Sequence, residues 1–338
     1  MWKLKPEKKP ITDMKKLTIL LFVILSVTGY SQTVKPSDLA HTFSIVARDT
    51  RTGEMAVAVQ SHWFSVGTVV AWGEAGVGVV ATQSFVNKSF GLRGLDLLKQ
   101  GKSPQDALDQ LLSDDNGKEF RQVAILDIKG RVATHTGKNC LESAGHSNGD
   151  NFSVQANMML NDKVVPAMEK AWKENDALPL AERMVEVLKA AQKAGGDIRG
   201  KQSAALLVVS PNNTGKPWDD RLIDLRVDDA TDPITELSRL LNVSRAYEHM
   251  NKGDLYVEKN DMPKAMEEYN QAMKMFPGNL EMQYWTAITL ANGKEVAKAS
   301  AMLQKIYRQD ANWRELTKRL PKAGLLNVPE GDLKELTK

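Results

Sequence analysis

Thr42 opens the run TFSIVARD, and a threonine at the head of a strand has chemistry within reach. Its hydroxyl is a weak nucleophile until a base sits beside it, and a free α-amine on the same residue supplies one. The ordinary pKa of that amine lies near neutrality, so much of it is unprotonated at working pH. A nucleophile and base on one residue would attack an amide carbonyl, with backbone amides and Asn or Gln side chains stabilising the oxyanion.

Polar residues stranded in apolar runs are the next candidates. Thr82, Gln83 and Asn87 lie at the end of AGVGVVATQ and just beyond it, and Gln155 and Asn157 interrupt FSVQANMML. A buried amide must be hydrogen-bonded, so these residues either knit sheets together or line a substrate pocket. Arg93 follows Gly91 at the start of a helix, where a guanidinium would bind a substrate carboxylate; the alternative is a solvated helix charge. Asp197, Arg199, Lys201, Gln202 and Ser203 crowd one loop before a buried strand, and Gly195, Gly196 and Gly200 permit tight backbone there. That loop contacts a ligand or holds an internal Arg–Asp pair, with Arg226 or Asp228 as further partners. The glycines follow a helix instead of preceding one, which argues against a phosphate cradle.

No metal centre or cofactor is expected. His41, His62, His135, His146 and His249 are scattered, with no HExxH or CxxC motif. Cys140 is the only cysteine, so the fold must stand without an internal disulfide.

The elements that must position these residues follow from periodicity. TFSIVARD and EMAVAVQS flank the turn Thr50-Arg51-Thr52-Gly53, a hairpin signature. GTVVAW and AGVGVVATQ read as a second strand pair. Arg93–Gln100 reads as a helix stopped by Gly101, and Ser103-Pro104 caps another with Ala107, Leu108, Leu111 and Leu112 on one face. RQVAILDIKGRVATHTG is a hairpin turning at Lys129-Gly130, and FSVQANMML is a strand leading into a helix from Val164 to Trp172. Ala181–Ala194 is an amphipathic helix, followed by strands SAALLVVSP and LIDLRVDD. Strand pairs, two long helices, then strands again predict an α+β fold with two sheets between helical layers.

From about Val243 the β signal disappears. Gly253, Tyr256, Ala265, Tyr269, Ala272 and Pro277 sit at tetratricopeptide offsets. A shift of about one repeat, ~34 residues, reaches Ala287, Leu290, Ala299, Leu303 and Ile306. Trp313, Leu316 and Leu320 would cover the open end. The expected tail is an all-α, tetratricopeptide-like domain of helical hairpins; a generic helical bundle is the alternative.

HTFSIVARDTRTGEMAVAVQSHWFSVG, AGVGVVATQSFVN, GGDIRGKQSAALLVV and IDLRVDD together resemble the domain-of-unknown-function family 1028, over roughly Thr42 to Leu241. The resemblance implies an αββα sandwich of the N-terminal nucleophile (Ntn) hydrolase type. In that class the end of the second strand also faces the site, which here is Gln60-Ser61-His62. Ser61 would orient the amine, and His62 would supply the positive charge that a lysine gives in some relatives. The alternatives are a turn hydroxyl for Ser61 and an exposed strand end for His62.

The chain is long enough, at 338 residues, for two domains. Its formal charge of +3 is uneven, because residues 1–31 hold six lysines against two acids and the remainder has 39 basic and 40 acidic residues. The basic character therefore belongs to the leader and predicts no nucleic-acid partner. Met14-Lys15-Lys16 precedes the uncharged run Leu17–Gly29, a signal-peptide pattern with Gly29 and Ser31 ahead of a cut before Gln32. The alternative, a membrane anchor, needs a longer apolar run. The expected order is an upstream extension and signal peptide at 1–31, a linker or propeptide at 32–41, the α/β domain at 42–242 and the helical domain at 243–338. Leader cleavage would leave Gln32 through His41 in front of Thr42, tying up the amine, so a second cut at His41–Thr42 must follow if the amine is to act.

Two functions follow. The first is an exported, periplasmic or extracellular Ntn-type hydrolase of amide or peptide-like bonds. The second is a non-catalytic module holding a small or peptide-like ligand such as a cell-wall fragment. In both, the helical tail recruits a protein or peptide partner; packing on the α/β domain and self-association into a homo-oligomer are its alternatives.

Overall fold

The computed structural model describes residues 39–338. The expected signal peptide and most of the linker ahead of Thr42 lie outside the described residues. Among the described residues no helix is long and apolar enough to cross a membrane.

The described chain opens with β1 (Leu39–Ala40) and the hairpin strands β2 (Thr42–Arg48) and β3 (Met55–Ser61). Strands β4 (Ala71–Glu74) and β5 (Gly78–Phe85) follow, then α1 (Ser89–Lys99) and α2 (Pro104–Ser113). β6 (Arg121–Asp127), β7 (Val132–Thr136), β8 (Gly145–Gly149) and β9 (Phe152–Ala156) lead to α3 (Val164–Glu174) and α4 (Leu180–Lys193). β10 (Ser203–Val209), the single turn α5 (Pro217–Asp220) and β11 (Arg221–Val227) complete the mixed region. The tail comprises α6 (Pro233–Glu258), α7 (Met262–Met275), α8 (Leu280–Asn292), α9 (Val296–Gln309), α10 (Asn312–Arg319) and α11 (Glu330–Leu336).

The strands form two antiparallel sheets. In one, β5 pairs with β6 and β6 with β7, while β4 and β1 share the other edge of β5. The second runs β11-β10-β3-β2-β9-β8. The period-2 pattern sends alternate residues to opposite faces. Val46, Val57, Val59 and Leu207 thus meet Val79, Ala81, Ala124 and Leu126 between the sheets. Phe43, Ile45, Val154 and Leu206 face α3, α4 and the start of α6 through Met168, Met184, Leu188 and Leu237. On the far side Val80, Val123 and Ile125 lie under Phe90 and Leu95 of α1 and Leu108 and Leu111 of α2. Burying each such aliphatic side chain contributes about 1.5–3 kcal/mol. The fold is mixed α/β with two antiparallel sheets and a C-terminal helical region.

Local signals explain several boundaries. Ser103 accepts a hydrogen bond from the Asp106 N–H at 3.1 Å, with Pro104 following it as the first helical residue of α2. At the β6–β7 turn Gly130 adopts φ +79°, a conformation that costs glycine little. GTVVAW departs from expectation. Val66–Thr68 is a 3-10 turn and the strand starts only at Ala71. The Val66 N–H donates to Ser203 Oγ at 3.1 Å, and Gly67 lies so near Ala205 that a Cβ would stand 2.6 Å from its methyl group. This segment is pinned against β10 and cannot run extended. Helix α1 begins at Ser89, one turn before Arg93, with Asn87 Oδ1 accepting from the Ser89 N–H and hydroxyl.

Helix α6 runs without a break from the mixed region into the tail, and Arg245 on it bonds Glu182 of α4 at 2.8 Å and Glu248 at 2.9 Å. Further along, α6 and α7 approach so closely at Gly253 that a Cβ there would stand 2.3 Å from the Tyr269 ring. The Tyr269 hydroxyl donates to Asp254 at 2.6 Å. Ala287, Leu290, Ala299, Leu303 and Ile306 are all buried between α8 and α9, where Leu320 and Leu336 join them.

Candidate active site around Thr42

Thr42 heads β2 and is fully buried, opposite Ser61 of β3, which in turn lies opposite Ser203 of β10. These register positions face the other sheet, as does every second residue of β2. The chain ahead of Thr42 does not leave the fold: Leu39 and Ala40 pair with Phe85 and Ser84 at the end of β5. The Thr42 hydroxyl donates to the Ala40 carbonyl at 2.8 Å.

The His41–Thr42 peptide lies at the centre of a polar cluster. Its carbonyl oxygen, that of His41, accepts from Ser61 Oγ at 2.6 Å and from Arg199 Nη2 at 2.8 Å. The guanidinium is itself oriented by Asp197, whose carboxylate takes Arg199 Nε at 3.0 Å and Nη2 at 2.7 Å. The Asp197 side chain is fully buried, and the backbone N–H groups of Arg199 and His62 complete its shell at 2.9 and 3.2 Å. A fork-to-fork pair of this kind fixes the cation in angle as well as distance.

On the other side of Thr42 a net of side-chain amides ties the two sheets together. Gln83 Nε2 donates to the Thr42 carbonyl at 3.2 Å and to Gln122 Oε1 at 2.7 Å, while its Oε1 accepts from Ser44 at 2.6 Å. Asn157 Nδ2 donates to the same Gln122 oxygen at 2.8 Å. Gln122 Nε2 reaches the Ala156 carbonyl at 2.9 Å and Thr136 Oγ1 at 2.9 Å. Gln155 Nε2 donates to Ser44 at 2.6 Å. With both Asn157 Nδ2 protons directed at carbonyl groups, its Oδ1 faces His41 Nδ1 at 2.8 Å, so the imidazole must carry its proton on Nδ1. Burial is the main influence lowering the His41 pKa below 6.5, opposed by the Asn157 bond and reinforced by the Arg199 charge. The ring is neutral, and its Nε2 is buried without a partner.

The structure thus brings together Thr42, Ser61, Gln83, Gln155, Asn157, Asp197 and Arg199. His62 stands apart: its side chain is exposed, and only its backbone N–H joins the cluster through Asp197. The cation at the His41 carbonyl is Arg199. Thr82 points to the opposite face of β5 and donates to the Asn87 carbonyl at 3.3 Å; the Asn87 side chain accepts from the Ser89 N–H at 3.2 Å, at the start of α1. Arg93 pairs with Asp114 at 2.6 Å on the surface. Gln122, Ser44 and the His41 ring went unnoticed in the sequence. Ser44 interrupts the apolar run FSIVA and fits the rule that picks out Gln155, whereas Gln122 follows charged Arg121 ahead of VAIL and is passed over by it.

A separate cleft of about 440 Å³ lies between β4, α1 and β10, lined by Trp72, Leu92, Leu95 and Leu207 with Glu74 and Arg226 at its rim. None of its lining residues belongs to the Thr42 cluster. Among the described residues no three His, Cys, Asp or Glu side chains converge in a way that could hold a metal ion.

No curated protein matches this chain. It is similar to the crystal structure of protein SPO2555 from Silicibacter pomeroyi, a member of the DUF1028 family, at 31% identity and a TM-score of 0.54. That likeness covers 60% of this chain and 88% of SPO2555. Residues 42–237, beginning at Thr42 itself, match the family of unknown function DUF1028. The chain belongs to the family of unknown function DUF1028.

Proposed function

We propose that this protein is an exported Ntn-type hydrolase of amide or peptide-like bonds, with Thr42 as nucleophile once the His41–Thr42 bond has been cut. On this reading the two facing sheets with helices on their outer sides are the αββα sandwich of that class. One observation carries it: the carbonyl of the residue before Thr42 accepts from both Ser61 and an Asp197-anchored Arg199. Two donors on one carbonyl, one of them cationic, are what an oxyanion at that carbon requires.

The scission balances as an acyl shift followed by hydrolysis. Thr42 Oγ1 adds to the His41 carbonyl carbon, and the oxyanion develops between Ser61 and Arg199. The C–N bond then breaks, the hydroxyl proton passing to the Thr42 nitrogen, and His41 is left as an ester on Oγ1. Water hydrolyses the ester to a His41 carboxylate and a free Thr42 with both hydroxyl and amine. In the freed site the amine acts as base for attack on a substrate amide, and Ser61 and Arg199 serve the second oxyanion. The test is the intact mass of protein recovered from periplasm or medium. Mature chains must begin at Thr42, and Thr42→Ala must retain the preceding residues; a folded, homogeneous product beginning at Gln32 overturns the mechanism.

A second reading, a non-catalytic ligand-binding module, is favoured by the complete burial of Thr42 and by the separate apolar cleft beside Trp72. Ligand-induced thermal stabilisation that survives Thr42→Ala, without turnover by the parent protein, supports it. In either case the tail is read as tetratricopeptide-like and as a recruiter of a protein or peptide. A recess lined by Tyr247, Met250, Asp254, Glu281 and Trp285 supports that role.

A further inference from the structure

Resting on the reading of Thr42 as nucleophile, we infer that Leu39-Ala40-His41 occupies the slot that receives the acyl half of the substrate. The substrate is then a peptide whose cleaved bond follows a histidine-like residue preceded by a small one. Three features of the slot are independent of the scission itself.

The first is backbone pairing. Leu39 and Ala40 add to the free stretch of the β5 edge, in register with Phe85 and Ser84. An edge of this type accepts any extended peptide by main-chain hydrogen bonds and leaves discrimination to the side-chain pockets. Ser84, at φ +71°, is the last β5 residue but one, and Phe85 beyond it is the last residue that pairs.

The second is the space beneath Ala40. Its methyl group is completely buried in the apolar cluster between the sheets, among residues that include Val59, Val66 and Val86. Close-packed surroundings of this kind resist a larger side chain.

The third is the environment of the His41 ring, which is 1% exposed. It stands edge-on to Phe85 at 5.5 Å between centroids, and its Nδ1–H donates to Asn157 Oδ1 at 2.8 Å. Asn157 cannot turn to suit another partner, because its Nδ2 is committed to Gln122 Oε1 and the Thr42 carbonyl. A ring without an N–H would leave that buried oxygen unpaired, and a site built around a hydrogen bond rejects the analogue lacking it more strongly than an apolar pocket does.

Hydrolysis adds water across the amide, leaving the peptide with a histidine carboxylate and releasing the amine. The departing segment, which ends in Leu39-Ala40-His41, is therefore a product analogue of the enzyme it unmasks.

The test uses the full chain after scission has been verified by intact mass, with three coumarin amides: acetyl-Leu-Ala-His, acetyl-Leu-Ala-Phe and acetyl-Leu-Trp-His. The expected order in kcat/KM is Ala-His first, with Ala-Phe lower by about ten-fold or more and Trp-His lower by about a hundred-fold. Turnover of all three within a factor of about two, or a preference for the phenylalanine amide, overturns the inference while leaving the nucleophile assignment standing. Hydrolysis of other amides with none of these three does the same. Absence of scission in a folded chain overturns both.

Discussion

Arg199 reaches the carbonyl of His41 at 2.8 Å across 158 residues of sequence, and it does so while locked onto the fully buried carboxylate of Asp197. Neither residue is remarkable in its own segment. Together they put a fixed positive charge on the peptide bond that precedes Thr42. In a chain where Thr42 is buried and internal, this contact gives the threonine a chemical context.

Arg199→Ala should slow scission by about a hundred- to a thousand-fold, the usual loss when one oxyanion donor is removed. Arg199→Lys should recover only part of it, since an ammonium cannot hold both Asp197 oxygens and the His41 carbonyl in one plane. Time courses of intact mass on refolded protein measure both. A wild-type rate in Arg199→Ala, with the fold intact by circular dichroism, refutes the assignment.

His41 makes the uncut form sensitive to acid. Its folded pKa is depressed below 6.5, chiefly by burial, so the unfolded chain binds the proton more readily. The stability tied to the neutral ring is complete above pH 6.5 and is lost as pH falls below that value through the folded pKa. Urea midpoints of a Thr42→Ala protein should therefore decline from pH 7.5 to 5.5, and His41→Gln in that background should flatten the decline. His146 on β8 shifts in the same direction, by desolvation first and the neighbouring His135 second, but its residue is exposed where His41 is buried, so His146→Gln should change the slope less.

Gln122 is the hub of the amide net, and Gln122→Leu should cost about 2–4 kcal/mol. It takes one acceptor each from the Nδ2 of Asn157 and the Nε2 of Gln83, leaving both with the Thr42 carbonyl, and removes the donor to the Ala156 carbonyl. Denaturant unfolding gives the figure. A loss below about 0.5 kcal/mol, the range of ordinary surface substitutions, would show that water replaces the amide without penalty.

Gly253→Ala should destabilise the tail by about 1–3 kcal/mol, although alanine normally favours a helix over glycine by about 1 kcal/mol. The added Cβ would stand 2.3 Å from the Tyr269 ring. Gly331→Ala in α11, with no atom within 4 Å of the added carbon, is the control and should be neutral or slightly stabilising. Thermal unfolding of the two variants separates the clash from helix propensity.

Much of the architecture could be read without coordinates, because periodicity and capping act over a few residues. The β2–β3 hairpin, the capped helix after Ser103, the turn at Gly130 and the buried small and aromatic positions of the tail all rest on such local rules. Family membership was legible for the same reason, since its motifs are short runs. Strand β8, GHSNG, has no intrinsic β signal and exists because β9 offers it an edge. GTVVAW has that signal and yet turns, because Ser203 and Ala205 hold it close.

For the site, Gln83 and Asn157 were legible as amides in apolar runs, Thr42 as a hydroxyl heading a strand, Asp197 and Arg199 as charges crowding a glycine-rich loop, and Ser61 only through the family resemblance. Which of those polar groups share a site was a tertiary decision. Register across antiparallel strands sets Ser61 beside Thr42. Alternation along β5 sends Gln83 inward and Thr82 away, and the tight loop after α4 swings Arg199 onto a carbonyl instead of into solvent. Those are distances between segments remote in sequence, and only packing of the two sheets determines them.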